Sequence, residues 1–196
     1  MPSLDHRIVA WMSGLDLPLV TPFAKALSAI GASGLVFIVV AAMLSARRRQ
    51  AAPVVITLAT VILADALSRA MKAAFDRPRP SVAHADVHAL VALPGNASMP
   101  SGHAWIAFAA AVVVGGLAPR LRPWMLGLAC LIALSRVYLG VHYPSDVIVG
   151  AAGGAATGGA VLLGWRLGHA QIRADHDRDR GQQRDPEAVG GSDRDG

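Results

Sequence analysis

The sequence predicts an all-α integral membrane protein, a helical bundle of five to six spans. Composition is the first reason: 54% of the 196 residues are hydrophobic and 16% are charged, where about a quarter is usual for soluble domains. The second is the length of the uncharged runs. Ala26 to Ala46 carries no charge over 21 residues and Val147 to Trp165 none over 19, each enough to cross a hydrocarbon core of about 30 Å. The third is that basic residues gather where apolar segments end: Arg47–Arg49, Arg120 with Arg122, and Arg166 with Arg173.

Taken in order, residues 1–22 form an N-terminal interfacial or re-entrant segment. "LDHRIVAWMSGLDLPLV" alternates polar and apolar residues at helical spacing and then turns. Asp5, Asp16 and Pro18 interrupt it, and no basic leader precedes it, so it does not read as a cleavable signal. Residues 4–22 are the alternative sixth span. The membrane domain covers 23–168, with spans at 26–46, 53–75, 104–118, 124–141 and 147–165. The middle three are shorter or interrupted by charge, which a bundle accepts when the charges face its interior. "GAAGGAATGGAVLLG" in the last span allows close helix packing. Cys130, the single cysteine, lies within an apolar segment and reads as a small buried residue. Residues 169–196 are nearly devoid of apolar side chains and read as a disordered cytoplasmic tail.

Charge distribution sets the orientation. Residues 1–172 hold 13 Lys/Arg against 6 Asp/Glu, and the remainder 5 against 7. The excess sits at span ends rather than along one stripe, which excludes a nucleic-acid surface. With Arg47–Arg49 in the cytoplasm, the other two basic clusters also fall inside. The loop 76–103 and the turn 142–146 then share the outer face.

That outer face carries charges the rule disfavours. "SRAMKAAFDRPRP" contains Arg69, Lys72, Arg77 and Arg79, and "ALSRVYLGVHYPSD" adds Arg136 inside an apolar segment. Asp65 lies four residues before Arg69 and pairs with it by helical spacing. Lys72, Arg79 and Arg136 have no such carboxylate. A cation at that depth costs about 2.5–3.5 kcal/mol on insertion scales, so three of them on one face imply an anion such as phosphate. "SMPSGHAWIAF" places Ser101 and Gly102 at a helix start on the same face. Their free N–H groups and the helix dipole make an anion site, and Gly102 lets a phosphate come close. His103 stands at its rim. His142 and Asp146 are four residues apart, so the carboxylate can fix the imidazole tautomer. Two histidines, three cations and a helix N-terminus suit phosphoryl transfer without metal: one imidazole attacks phosphorus and the other protonates the leaving group.

Three blocks in one order carry a resemblance. Lys72 to Arg79-Pro80 fits K-x6-R-P, residues 100–103 are P-S-G-H, and Ser135-Arg136 through His142 to Asp146 fits S-R-x5-H-x3-D. Together they resemble the signature of the type 2 phosphatidic acid phosphatase superfamily, lipid phosphate phosphatases distantly related to vanadium haloperoxidases. The resemblance implies a vanadium-haloperoxidase-like phosphatase core. It makes His142 the nucleophile that forms a phosphohistidine, Asp146 its orienting partner, and His103 the acid that later activates water. Lys72, Arg79, Ser101, Gly102 and Arg136 hold the phosphate, with no metal and no cofactor. No signature position departs from the pattern; the N-terminus does, since many relatives show six clear spans. His84, Asp86 and His88 sit too loosely for a metal site and read as part of a lid over the headgroup.

The implied partner is a membrane lipid phosphate that enters from the bilayer, in the class of polyprenyl diphosphates, phosphatidic acid or phosphatidylglycerol phosphate. Decaprenylphosphoryl phosphoribose is a further substrate of relatives. Ala- and Arg-rich usage suggests a GC-rich bacterium, hence its plasma membrane, with the site outside. The opposing reading is a transporter or scaffold that binds lipid phosphate without hydrolysis, for which an Asp-oriented imidazole has no use.

Overall fold

The structure, a computed structural model, describes residues 3–184, and those residues form helices and loops without strands. Contacts divide the chain at Val161. The first unit ends within the last helix; the second, from Leu162, contains the remainder of that helix.

Helix α1 spans Leu4–Gly14. Ser3 caps it by accepting from the His6 N–H at 3.3 Å, and Asp5 lies in its first turn, where a carboxylate favours the helix dipole. Leu4 and Trp11 are exposed, as an interfacial helix requires, but Val9 is fully buried. It packs with Val87, Ala133, Val137 and Tyr143. The segment is thus docked onto the bundle.

The expected span at 26–46 is not one helix. It is α2, Val20–Gly31, and α3, Leu35–Arg48, bent by 59° at the break between them. Gly34 sits there at φ +65°, and a methyl group on it would fall 3.0 Å from the side chains of Val61 and Ile106. The left-handed turn and the close approach both need glycine. An uncharged run conceals such a break, because hydropathy does not register backbone hand.

Helix α4 is Ala52–Phe75, α5 is the short Pro80–Ala83, and α6 is Gly102–Leu117. A 3-10 turn at Pro119–Leu121 leads into α7, Arg122–Tyr138, and α8 runs from Pro144 to Arg184. Three stretches are long and apolar enough to cross a bilayer: Ala52–Ala83, Pro119–Tyr138 and Pro144–Ile172, with the bent α2–α3 pair as a fourth. The remaining predicted span, α6, has 16 residues, or about 24 Å. It does not have to match the bilayer, because Ala104, Ala107, Ala109, Ala110, Ala111, Val113 and Val114 are all fully buried. Around it, Leu58 and Ile62 on α4 and Leu131 and Leu134 on α7 stay exposed. Large apolar side chains in such numbers face lipid. Cys130 is exposed among them, not buried as its apolar setting suggested.

Helices α4, α6, α7 and α8 alternate in direction. Lys72 at the end of α4, Ser101 before α6, Arg136 at the end of α7 and Asp146 at the start of α8 therefore meet at one end of the bundle. At the other end Arg48 Nη2 donates to the Leu117 carbonyl at 3.0 Å, so two of the basic clusters share that face.

The helical length of α8 reaches Arg184, into the region whose composition predicted disorder; residues 185–196 of that region lie outside the described residues. Closer in, α8 meets α6 through its glycines. A methyl at Gly154 would fall 2.2 Å from the Trp105 carbonyl oxygen, and one at Gly150 2.5 Å from that of Ser101. Trp105 Nε1 donates to Thr157 Oγ1 at 3.1 Å across the same contact. Gly154→Ala must push backbone apart and is expected to destabilise by about 1–3 kcal/mol. Gly159→Ala, with nothing within 4 Å of the added carbon, should be neutral or stabilising. Thermal unfolding in detergent distinguishes them; equal effects would mean that the α6–α8 contact is not tight.

Candidate active site

One cleft of about 190 Å³ opens at this end of the bundle, and Lys72, Arg79, Gly102, His103, Arg136 and His142 all line it. Six of the eight residues singled out in the sequence thus share a wall. The other two lie behind it: Ser101 and Asp146 are fully buried.

The three cations are held by neutral acceptors. Lys72 Nζ donates to the Ala97 carbonyl at 2.6 Å and weakly to that of Ser98 at 3.4 Å. Arg79 donates to the Pro94, Asn96 and Val141 carbonyls at 3.2, 3.1 and 2.9 Å and to Asn96 Oδ1 at 2.7 Å. Arg136 donates from Nη1 to Ser28 Oγ on α2. Among the described residues none of the three has a carboxylate partner, whereas Asp65 and Arg69 do pair, at 2.8 Å. Two buried polar atoms lack any protein partner here, Arg136 Nε and Ser101 Oγ. Carbonyl dipoles satisfy N–H groups but leave the charge in place, so the cleft suits a polyanion.

His142 lies between a donor and a carboxylate. Its Nε2 is 3.4 Å from Arg79 Nη1. Its Nδ1 is 3.6 Å from Asp146 Oδ2 and 3.5 Å from Ser98 Oγ. At 3.6 Å the carboxylate is too far for a full hydrogen bond, but its charge beside Nδ1 and the Arg79 donor beside Nε2 favour the tautomer with the proton on Nδ1 and the lone pair on Nε2. Asp146 is itself fixed: Oδ2 accepts from Ser98 Oγ at 2.5 Å and from the Tyr143 N–H at 2.9 Å, and Oδ1 from Arg77 Nη1 at 2.7 Å. The bond to Tyr143 is the return half of a capping box at the start of α8.

Ser98, Asn96 and Arg77 were not recognised from sequence. Ser98 opens the quoted stretch before α6, where it has no assigned role. Arg77 shows as a charge without its partners. The loop that carries His84 and His88 is tied down on two sides. Leu90 N–H donates to the Leu139 carbonyl at 3.0 Å. Gly140, at φ +71°, lets the His88 carbonyl approach to 2.4 Å of where a methyl would stand. His88 is exposed, while His84 stacks on His6 at 3.9 Å and 17°. His6 Nε2 meets Asp86 Oδ1 at 2.9 Å, and that bond holds the Asp86 carboxyl below its usual range. His6, His84 and Asp86 each bring one ligand atom within 4.8 Å of the others, and the cluster combines the His6–Asp86 contact with a stacked ring. It fastens α1 to the loop.

A cation-lined cleft with two imidazoles, at one end of a helical bundle with lipid-facing sides, is the arrangement that a membrane phosphatase requires. The chain belongs to the PAP2 superfamily, whose family model matches residues 53–167. Over 159 residues it is 35% identical to decaprenylphosphoryl-5-phosphoribose phosphatase of Mycobacterium tuberculosis, taking in 79% of this chain and 86% of that protein. Among solved structures it is similar to the PAP2 type phosphatidylglycerolphosphate phosphatase of Bacillus subtilis, with TM-score 0.71 at 23% identity over 83% of this chain and 85% of the other. LpxE of Aquifex aeolicus gives 0.70 at 27%, over 83% and 96%. Lipid phosphate phosphatase is the enzyme class these relatives share.

Burial is the largest influence on His142 and pushes it below the usual histidine value; the Asp146 carboxylate beside Nδ1 opposes this, and the nearby cations reinforce it. A lowered value keeps the imidazole neutral, with a free lone pair, until the pH falls well below 6.5. The acid limb of kcat/KM that reports His142 should therefore lie below pH 6.5 in a pH–rate profile. A limb at or above 6.5 would show that the imidazole is not held neutral by burial.

Proposed function

We propose that this protein hydrolyses a phosphomonoester or diphosphate on a membrane lipid through a phosphohistidine at His142, without metal. The observation that carries the reading is the buried His142, with Asp146 3.6 Å from its Nδ1, lining one cleft with three cations that form no salt bridge to a carboxylate among the described residues. Lys72, Arg79 and Arg136, with the N–H groups at the start of α6, hold the phosphate oxygens and stabilise the charge that builds on them, and Ser101 supports that helix start from behind the wall. His142 Nε2 attacks phosphorus as Asp146 steadies the imidazole. His103 protonates the departing oxygen, then takes a proton from the water that cleaves the phosphohistidine. The guanidinium and ammonium groups occupy the place of a divalent ion in this scheme.

The substrate class is a polyprenyl diphosphate, phosphatidic acid or phosphatidylglycerol phosphate, and the similarity to the mycobacterial phosphatase supports adding a polyprenylphosphoryl sugar phosphate. The basic residues at the far end support a bacterial plasma membrane with the cleft on the outer side. Residues 23–168 are the phosphatase domain of this reading.

Phosphate release from those lipids in detergent tests it. Activity should survive EDTA; complete loss that magnesium or zinc restores would refute the metal-free scheme. The histidines separate by leaving group. His142→Ala should abolish turnover and trapped phosphoenzyme with every substrate. His103→Ala should lose about 10²–10⁴-fold on a lipid but recover with p-nitrophenyl phosphate, whose leaving group departs unprotonated. Asp146→Asn should fall between them, since it keeps His142 but disturbs its tautomer. Rescue of His142→Ala in place of His103→Ala would exchange the two roles, and full activity in both variants would remove the enzyme reading.

A further inference from the structure

Asp146 makes its shortest contact to a cation with a residue outside the cleft. Arg77 does not line the phosphate site; it approaches Asp146 from behind, with Nη1 2.7 Å from Oδ1. The same nitrogen donates to Ser145 Oγ at 2.7 Å. Its other terminal nitrogen, Nη2, is 3.0 Å from Asp5 Oδ2 on α1. Asp5 in turn takes the Ser145 N–H on Oδ1 at 3.0 Å and the Ser145 hydroxyl on Oδ2. The guanidinium lies over the Tyr143 ring, 3.9 Å from its centroid.

The chemistry of this knot is specific. Ser145 N–H is one of the four donors that a helix start leaves without an intrahelical partner, and Asp5 caps it from another helix. Asp5 and Asp146 both sit at the positive end of α8, and Arg77 stands between them with one nitrogen for each. A planar fork can do this; an ammonium on a flexible stem cannot hold two carboxylates in fixed directions. Burial alone would raise the Asp5 carboxyl, but the hydrogen bonds from Ser145 and Arg77 outweigh it and hold it below its usual value, so it is ionised at neutral pH.

We propose that Asp5 and Arg77 are positioning residues for the His142–Asp146 pair, and that α1 is thereby a working part of the phosphatase. The inference rests on the nucleophile reading given above for His142. It extends the site beyond the matched family region, since Asp5 lies 48 residues before residue 53, where that match begins. Arg77 fixes Oδ1 of Asp146, Ser98 and the Tyr143 N–H fix Oδ2, and the carboxylate is left one orientation toward Nδ1 of His142. Asp5 holds Arg77 and the first turn of α8 in register with each other.

The test uses the full chain in detergent, with phosphatidic acid in mixed micelles and p-nitrophenyl phosphate as substrates and inorganic phosphate as competitive inhibitor. Wild-type turnover tests the nucleophile reading by itself: no hydrolysis of either substrate removes that reading, and the positioning role with it. Given turnover, Arg77→Lys and Asp5→Asn should each lower kcat about tenfold or more, the order expected for a misplaced catalytic group. KM and the inhibition constant of phosphate should stay within about twofold, because neither residue touches the cleft; an unchanged phosphate constant also certifies a folded site. The double variant should lose less than the product of the two single losses, because the residues act through one contact. Asp5→Glu, which keeps the carboxylate, should recover part of the Asp5→Asn loss. Unchanged kcat in both variants, a weakened phosphate constant, or fully multiplicative losses would each overturn the proposal.

Discussion

The site depends on one backbone contact. Ser101 N–H donates to the Asp146 carbonyl at 2.9 Å, which joins the start of α6 to the first turn of α8. Two sequence blocks separated by more than 40 residues become one wall through it. The contact exists because Gly150, one turn further along α8, offers no side chain against the Ser101 carbonyl. Gly154 repeats the arrangement at Trp105. In lipid, where apolar side chains gain nothing by leaving one neighbour for another, such close backbone packing supplies much of the association. The glycine stripe is thus a positional device as well as an adhesive one: it fixes how far apart the anion-binding helix start and the His142–Asp146 pair can be.

Around that contact the bundle solves an electrostatic problem. Lys72, Arg79 and Arg136 are each at most 9% exposed, at a depth where an unpartnered charge is expensive. Carboxylates would remove the expense and with it the attraction for an anion. The protein instead surrounds these groups with carbonyls from residues 94–98 and 141 and with one serine. Carboxylates are placed elsewhere: Asp65 at the rim with Arg69, Asp146 behind His142, Asp5 behind Arg77. The loop 76–101 is the source of most of those carbonyls, so its docking against α1 and the α7–α8 turn is part of how the cations are held.

Much of this was legible in the sequence, for identifiable reasons. Apolar runs have to be long to serve as spans, so the helices at 52–75, 122–138 and from 144 announce themselves. The eight residues of the signature blocks stood out as candidates because phosphoryl transfer asks for cations and imidazoles, and the structure gathers six of them around one cleft. What was hidden depends on backbone geometry or on distant partners. The break at Gly34 lies inside an unbroken uncharged run. The exposure of Cys130 depends on which face of α7 meets lipid. Asp5 reads only as an interruption of a hydrophobic segment until its contact with Ser145, 140 residues away, is known. Arg77 is visible as a charge, but the two carboxylates that give it meaning, Asp5 and Asp146, are far from it and from each other in sequence.

Those hidden residues bear on the contrast between an enzyme and a binder. A protein that only captured lipid phosphate would be served by Lys72, Arg79, Arg136 and the start of α6. A neutral imidazole adds no charge attraction to such a site. Yet His142 is buried at 2% exposure, and the carboxylate behind it is gripped by a hydroxyl, a backbone N–H and a guanidinium. Each of those bonds restricts Asp146 further without bringing any donor nearer to the anion. Their combined effect is on the tautomer and direction of one ring, properties that matter when the ring must present a lone pair to phosphorus and have little bearing on affinity. On the proposed reading, the contacts behind the cleft, reaching back through Arg77 to Asp5 on α1, serve reactivity and not affinity.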